Sequence, residues 1–258
     1  MKEAHRLEQV IRGWLFVFLL SPAMVASSTA GEPYHFAAEL EVGPVWQSRN
    51  EVQIPNDEMG TRFSLVELGG TGPWAAGRLY LSWEKGRHGV RLLLAPLIIH
   101  ESGVFDGEVD FAGATFQPGI LTDATYKFSS WRITYSYRFH TGKRWRWWIG
   151  FSAKIRDAEI RLEQGDVVSK DTDVGFVPLL HLRSDWRFAE QWHLILDLDA
   201  IGGGPGRAED LSVKLSRDIG ARWRLAAGYR TVEGGADVES VYNFAWLNYA
   251  VVSATYRF

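Results

Sequence analysis

After residue 30 this chain alternates apolar and polar residues again and again, and no apolar run in that stretch is long enough to form a spanning helix. From Trp131 to His140, for example, Trp131, Ile133, Tyr135, Tyr137 and Phe139 fall on one side, and Arg132, Thr134, Ser136, Arg138 and His140 on the other. A two-residue period gives a strand with one oily and one wet face. The same period recurs at Leu79, Leu81 and Trp83, at Trp145, Trp147, Ile149 and Phe151, at Leu194, Leu196 and Leu198, and at Trp223, Leu225, Ala227 and Tyr229. So many half-apolar strands leave two architectures. Either the oily faces meet inside a soluble sandwich, or they face lipid around a closed barrel, the one sheet that satisfies its own backbone in a membrane.

Tryptophan separates the two. The chain holds 12 Trp among 258 residues, yet its hydrophobic share of 46% is ordinary for a packed protein. Indole rings concentrate where hydrocarbon meets water, which favours the barrel. The chain has no Cys, so disulfide scaffolds and thiolate metal sites are excluded. With 28 Lys+Arg against 31 Asp+Glu, no nucleic-acid partner is expected.

Residues 1–30 read as a secretory signal: Lys2, Arg6 and Arg12 precede the apolar run Trp14 to Leu20, and small residues follow. Cleavage is expected after Ala26 or Ala30, leaving residues 31–258 as a single barrel domain. Ten strands are expected at about 34–47, 74–85, 89–101, 123–140, 145–162, 174–188, 192–203, 208–219, 223–233 and 244–258. Short links near 86–88, 141–144, 189–191 and 220–222 alternate with longer ones near 48–73, 102–122, 163–173, 204–207 and 234–243. The stretch Phe63 to Leu68 is too apolar to hang in water, so the first long loop is expected to cap the barrel mouth or to pair with residues 107–116. Promoting both segments to strands gives a twelve-stranded alternative.

On this count Trp83, Trp145, Trp186, Trp192 and Trp223 border short turns, while Trp46, Trp74, Trp131 and Trp246 lie toward the long loops, which makes two interfacial girdles. The chain ends Ala250-Val251-Val252-Ser253-Ala254-Thr255-Tyr256-Arg257-Phe258, with Val252, Ala254, Tyr256 and Phe258 at alternate positions. This end resembles the targeting strand of Gram-negative outer-membrane β-barrel proteins. The resemblance implies an all-β antiparallel up-and-down barrel in the outer membrane. Its partners would be lipid, lipopolysaccharide and the assembly machinery that recognises such strands. Closure leaves no free sheet edge, so a monomer is expected.

The wet faces carry both signs of charge. Arg78, Arg132, Arg138, Lys154, Arg183, Arg224 and Arg230 are expected to meet Glu39, Glu84, Asp185, Asp197 and Asp199 in the lumen, because an unpaired buried charge is costly. Such a network either plugs the barrel or, since bases are in excess, draws anions.

At the rim, His100, Glu101 and Asp106 are the candidates for general-base chemistry, with Asp57, Glu58, Asp110 and the adjacent Ser102 nearby; plain solvated loop residues are the simpler reading. His181 and His193 project inward without a recognisable third ligand, so no metal or other cofactor is expected. Gly202-Gly203-Gly204-Pro205-Gly206 has no helix after it and reads as a turn rather than a phosphate loop. Three functions stay open: a narrow channel or binding barrel for small, anionic solutes, a structural or surface-interaction barrel, and a rim hydrolase acting on lipid or peptide.

Overall fold

A computed structural model describes residues 34–258 of the protein. The secretory segment and its two cleavage positions lie outside the described residues. In chain order the elements are β1 (Tyr34–Gln53), β2 (Phe63–Ser64), α1 (Leu65–Gly69), β3 (Trp74–Lys85), β4 (His88–Ala95), β5 (Ile98–Val104), β6 (Val109–Phe111) and β7 (Ala114–Phe116). They continue with β8 (Leu121–Thr141), β9 (Trp145–Gln164), β10 (Val167–Arg187), β11 (Trp192–Gly203), β12 (Gly206–Ile219), β13 (Trp223–Val238) and β14 (Val241–Arg257).

Each main strand pairs antiparallel with the next, and β1 closes the ring on β14 from Ala37↔Arg257 to Gln53↔Tyr242. β4 and β5 are two halves of one stave, since both pair with β8 and Pro96, which lacks an N–H to donate, interrupts them. The barrel therefore has ten staves. β2 adds only a two-residue pairing to β1, and β6 with β7 forms a separate hairpin, so the twelve-strand count does not hold.

The expected long links at 163–173, 204–207 and 234–243 are instead strand. β9 and β10 stay paired from Trp145↔Trp186 to Gln164↔Val167, and the turn holds only Gly165, at φ 59°, and Asp166. β11–β12 and β13–β14 likewise pair up to Gly203↔Gly206 and Val238↔Val241. Sequence reading stopped these strands where the outward side chains ceased to be oily. The two-residue phase does not stop there; only its chemistry inverts. On β9 the outward residues run Trp145, Trp147, Ile149, Phe151, Ala153, Ile155 and then Asp157, Glu159, Arg161, Glu163, while the inward ones change from Ser152 and Lys154 to Ile160 and Leu162. On β8 the outward Asp123, Thr125 and Lys127 stand above Trp131 and Ile133, opposite inward Ala124 and Tyr126. The hydrocarbon band thus ends near Trp131 and Ile155. Above it the same barrel is built like a soluble one, with a dry core.

That core is completed by the first two long loops. Leu65, Ile99, Phe111, Phe116 and Leu162 each have 0% of their surface exposed. Phe63 meets Phe105 and Phe111 edge-on, with ring centres 5.4 and 5.8 Å apart. The loops are also tied to each other: Thr61 N–H donates to Asp110 O at 2.9 Å, and Ala112 N–H to Ile54 O at 2.8 Å. Ser64 caps α1, its Oγ accepting from Glu67 N–H. Gly103 lets α1 lie against β5, since a Cβ there would stand 1.8 Å from the Leu68 carbonyl oxygen. The first loop therefore caps the mouth from inside and joins the second while doing so.

Candidate functional site

Below the cap, the centre of the lumen is crossed by an ion-pair network. Asp210 accepts from Arg78 at 2.9 Å, from Arg132 at 3.0 Å and from Arg230. Arg132 also reaches Asp199 at 2.5 Å, and Arg230 reaches Glu41 at 2.9 Å. Lys214 joins Glu41 and Glu39 at 2.9 and 2.5 Å, and Arg91 grips Asp197 with both guanidinium nitrogens at 2.5 and 2.9 Å. Sequence reading placed Glu39, Arg78, Arg132, Asp197, Asp199 and Arg230 together here, but missed the hub, Asp210. The signal for it was present, because Asp210 shares the inward face with Ser212, Lys214 and Ser216. Lys154, also expected to pair, has no carboxylate partner among the described residues. Its Nζ lies 4.7 Å from the Phe128 ring centre and it borders a void of about 20 Å³, room for one water.

On the short-turn side of the network the lumen opens into a vestibule of about 590 Å³, bordered by the turn residues Gly142, Lys143 and Arg144 and by Phe258. Asp185 is shared by Arg146 (2.6 Å), Arg224 (3.2 Å) and His193 (2.6 Å), and Asp218 by Arg224 and Arg257 (2.7 and 2.8 Å). Glu84, Arg138 and Arg183 were expected in the charge network; they line this vestibule instead, with no carboxylate–guanidinium pair among them in the described residues.

The rim candidates are not brought together. His100 and Glu101 are adjacent on β5 and so point to opposite faces: His100 is exposed with Nδ1 3.1 Å from Thr125 Oγ1, whereas Glu101 is buried within the cap. Ser102 donates to Asp123 Oδ1 on the outer face, and Asp106 is exposed in the following loop. His181, Asp197 and Asp199 do cluster, with ligand atoms within 4.8 Å. Arg91 and Arg132 already hold those carboxylates, so a cation there would meet guanidinium charge. His193 belongs to the Asp185 group and shares no site with His181. Residues 202–206 form the tip of the β11–β12 hairpin.

Glu101 is the unusual group in the cap. Its Oε2 accepts from Gln47 Nε2 at 2.8 Å, its Oε1 is buried without a partner, and burial raises its pKa from the usual 4.5 to about 7. β5 pairs with the part of β8 whose outward residues are Asp123, Thr125 and Lys127, so this carboxyl sits above the hydrocarbon. A raised acid pKa means the cap holds its proton where the unfolded chain releases it. Stability is therefore lost as pH rises from about 4.5 to about 7, by up to about 3 kcal/mol, and stays lost above that. Glu101→Gln should leave urea stability unchanged at pH 4 and raise it at pH 8; equal effects at both pH values would contradict this assignment.

On the outer face, Trp83, Trp145, Trp186, Trp192 and Trp223 are exposed toward the short turns, and Trp131 and Trp246 toward the cap end, with Trp46 half-buried. Trp74 differs from expectation. It pairs with the inward Val45, so it shares that face and packs on the cap core instead of the girdle. Val252, Ala254, Tyr256 and Phe258 face outward, and the Tyr256 ring meets Trp223 and Phe258, each at 4.9 Å between centres.

No family model and no curated protein matches the sequence. Among solved structures, the outer-membrane protease OmpT from Escherichia coli superposes with a TM-score of 0.54 at 9% identity, over 90% of this chain and 99% of that one. Ail of Yersinia pestis gives 0.36 at 11% identity over 86% and 99%, and the Pseudomonas putida toluene transporter TodX 0.35 at 10% over 90% and 91%. With OmpT the likeness is one of fold alone. The chain is a closed, ten-stranded antiparallel barrel of the kind found in outer-membrane β-barrel proteins.

Proposed function

We propose that this protein is a non-conducting binding barrel of the bacterial outer membrane, closed toward the outside and open to small anions from the periplasmic side. The observation that carries this reading is the double closure of the lumen. The dry cap core fills the outer part, and the Asp210 ion pairs, with side chains 3–9% exposed, cross the middle. A channel needs a continuous water path, and neither layer supplies one. The hydrolase reading loses the grouping it requires, since His100 and Glu101 face opposite ways. A surface role for the projecting β9–β10, β11–β12 and β13–β14 hairpins remains compatible with the same closed barrel.

Purified protein reconstituted in planar bilayers should give no unitary conductance above the lipid baseline. Reproducible single-channel steps from the wild-type chain would sink the closed reading.

A further inference from the structure

We infer that the vestibule contains a specific oxyanion site for a phosphate group, formed by Arg138 and Arg183 on either side of Trp148. The inference rests on the binding-barrel reading above and names its ligand class. Arg138, Trp148 and Arg183 are direct cross-strand partners on β8, β9 and β10, so all three side chains leave the same inner face. Neighbouring strands lie about 4.8 Å apart, which sets the two arginine backbones about 10 Å apart, within reach of one compact anion between them.

The pairing of the vestibule's charges supports this placement; the acids Glu84 and Glu190 also line it, and neither is ion-paired to Arg138 or Arg183 among the described residues. Arg91, Arg146, Arg224 and Arg257 already have carboxylate partners in Asp197, Asp185 and Asp218. Among the described residues the Arg138 guanidinium bonds only the Gly86 carbonyl, at 2.6 Å, and its Nε is buried without a partner. The Arg183 guanidinium has no hydrogen bond among the described residues; its Nε is also buried and unpartnered, and its guanidinium carbon lies 5.3 Å from the Trp148 ring centre. Arg187, bonded to the Lys143 carbonyl at 3.0 Å, adds a further cation with no carboxylate partner among the described residues. Two half-buried guanidiniums with unsatisfied N–H groups are an incomplete hydrogen-bond set, and a tetrahedral dianion supplies acceptors on several sides to complete it. Arginine's planar fork suits phosphate better than a point charge does. Trp148, 5% exposed, gives the site a low-dielectric wall that strengthens those bonds.

The test is calorimetric titration of the purified barrel in non-ionic detergent with inorganic phosphate and glycerol phosphate, at constant ionic strength, with chloride and acetate as comparisons. Saturable binding of the phosphates, but not of chloride or acetate, is expected. Arg183→Gln and Arg138→Gln should each weaken it about tenfold or more. Arg183→Lys should fall between Arg183→Gln and wild type. Arg207→Gln, on the far β11–β12 hairpin, should leave binding unchanged, and heat-modifiable gel migration confirms that every variant is folded. In nanodiscs, competition by phosphatidate would assign the phosphate to a lipid headgroup, and its absence to a soluble compound. A wild-type barrel that is electrically silent yet binds no phosphate overturns this inference and leaves the closed barrel standing. Equal loss in Arg207→Gln overturns it as well, whereas conductance steps reject the closed barrel whatever phosphate does.

Discussion

Asp210→Ala is expected to cost about 3–5 kcal/mol of stability, the range for removing one partner of a buried ion pair, because it strands cations rather than merely losing bonds. Asp210 accepts from Arg78, Arg132 and Arg230, whose side chains are 9%, 3% and 4% exposed. Arg132 keeps Asp199 and Arg230 keeps Glu41, but Arg78 has no other carboxylate among its described ion pairs. The variant should show a lower urea midpoint in detergent or bilayers, with little change in strand content. Adding Arg78→Met, which removes the cation left without a partner, should recover part of the loss. A single-variant loss below about 1 kcal/mol would show that water reaches this hub and screens it.

Phe111→Ala should be of similar size, about 3–5 kcal/mol, for a different reason. Phe111 comes from the second loop, is fully buried, and packs edge-on against Phe63 of the first. Truncating it leaves a cavity at the point where the loops interlock, and only dispersion contacts with neighbouring rings and aliphatic groups are lost. The effect should be local. Hydrogen exchange should accelerate at residues 54–73 and 105–120 while the amides of β9 to β14 stay protected. If those strands lose protection equally, the cap and the barrel fold as one unit, and the cap is not a separable element.

How much of this was readable in advance differs between the two faces of the strands. The outer face was legible within the hydrocarbon band because lipid imposes one chemistry on every outward residue. Trp131, Ile133 and Tyr135, or Trp223 and Leu225, therefore announce their orientation locally. Strand ends were not legible, because above Trp131 and Ile155 the solvent outside is water and the oily side turns inward. An alternation that only changes sign reads locally as the end of a strand. Trp74 was misplaced for the same reason. It belongs to a wet-phase register in which an indole faces a dry core.

The inner face was legible as a census but not as a set of pairs. Period-two spacing assigns Glu39, Arg132, Asp185 and Asp199 to the inside, yet which carboxylate meets which guanidinium depends on registers between strands far apart in sequence. Arg78 and Asp210 are 132 positions apart. Likewise the adjacent His100 and Glu101 suggest a dyad on paper, while a strand sends neighbours to opposite faces.

By itself, then, the sequence pointed to a lipid-facing antiparallel barrel of ten or twelve strands, because the two-residue period and the placement of the tryptophans are local properties. Only tertiary structure decided what fills the lumen. The filling depends on where two loops settle, on Gly103 allowing α1 against β5, and on long-range registers that bring opposite charges together across the lumen. Those are relations between distant residues, and the periodicity of a single strand carries no record of them.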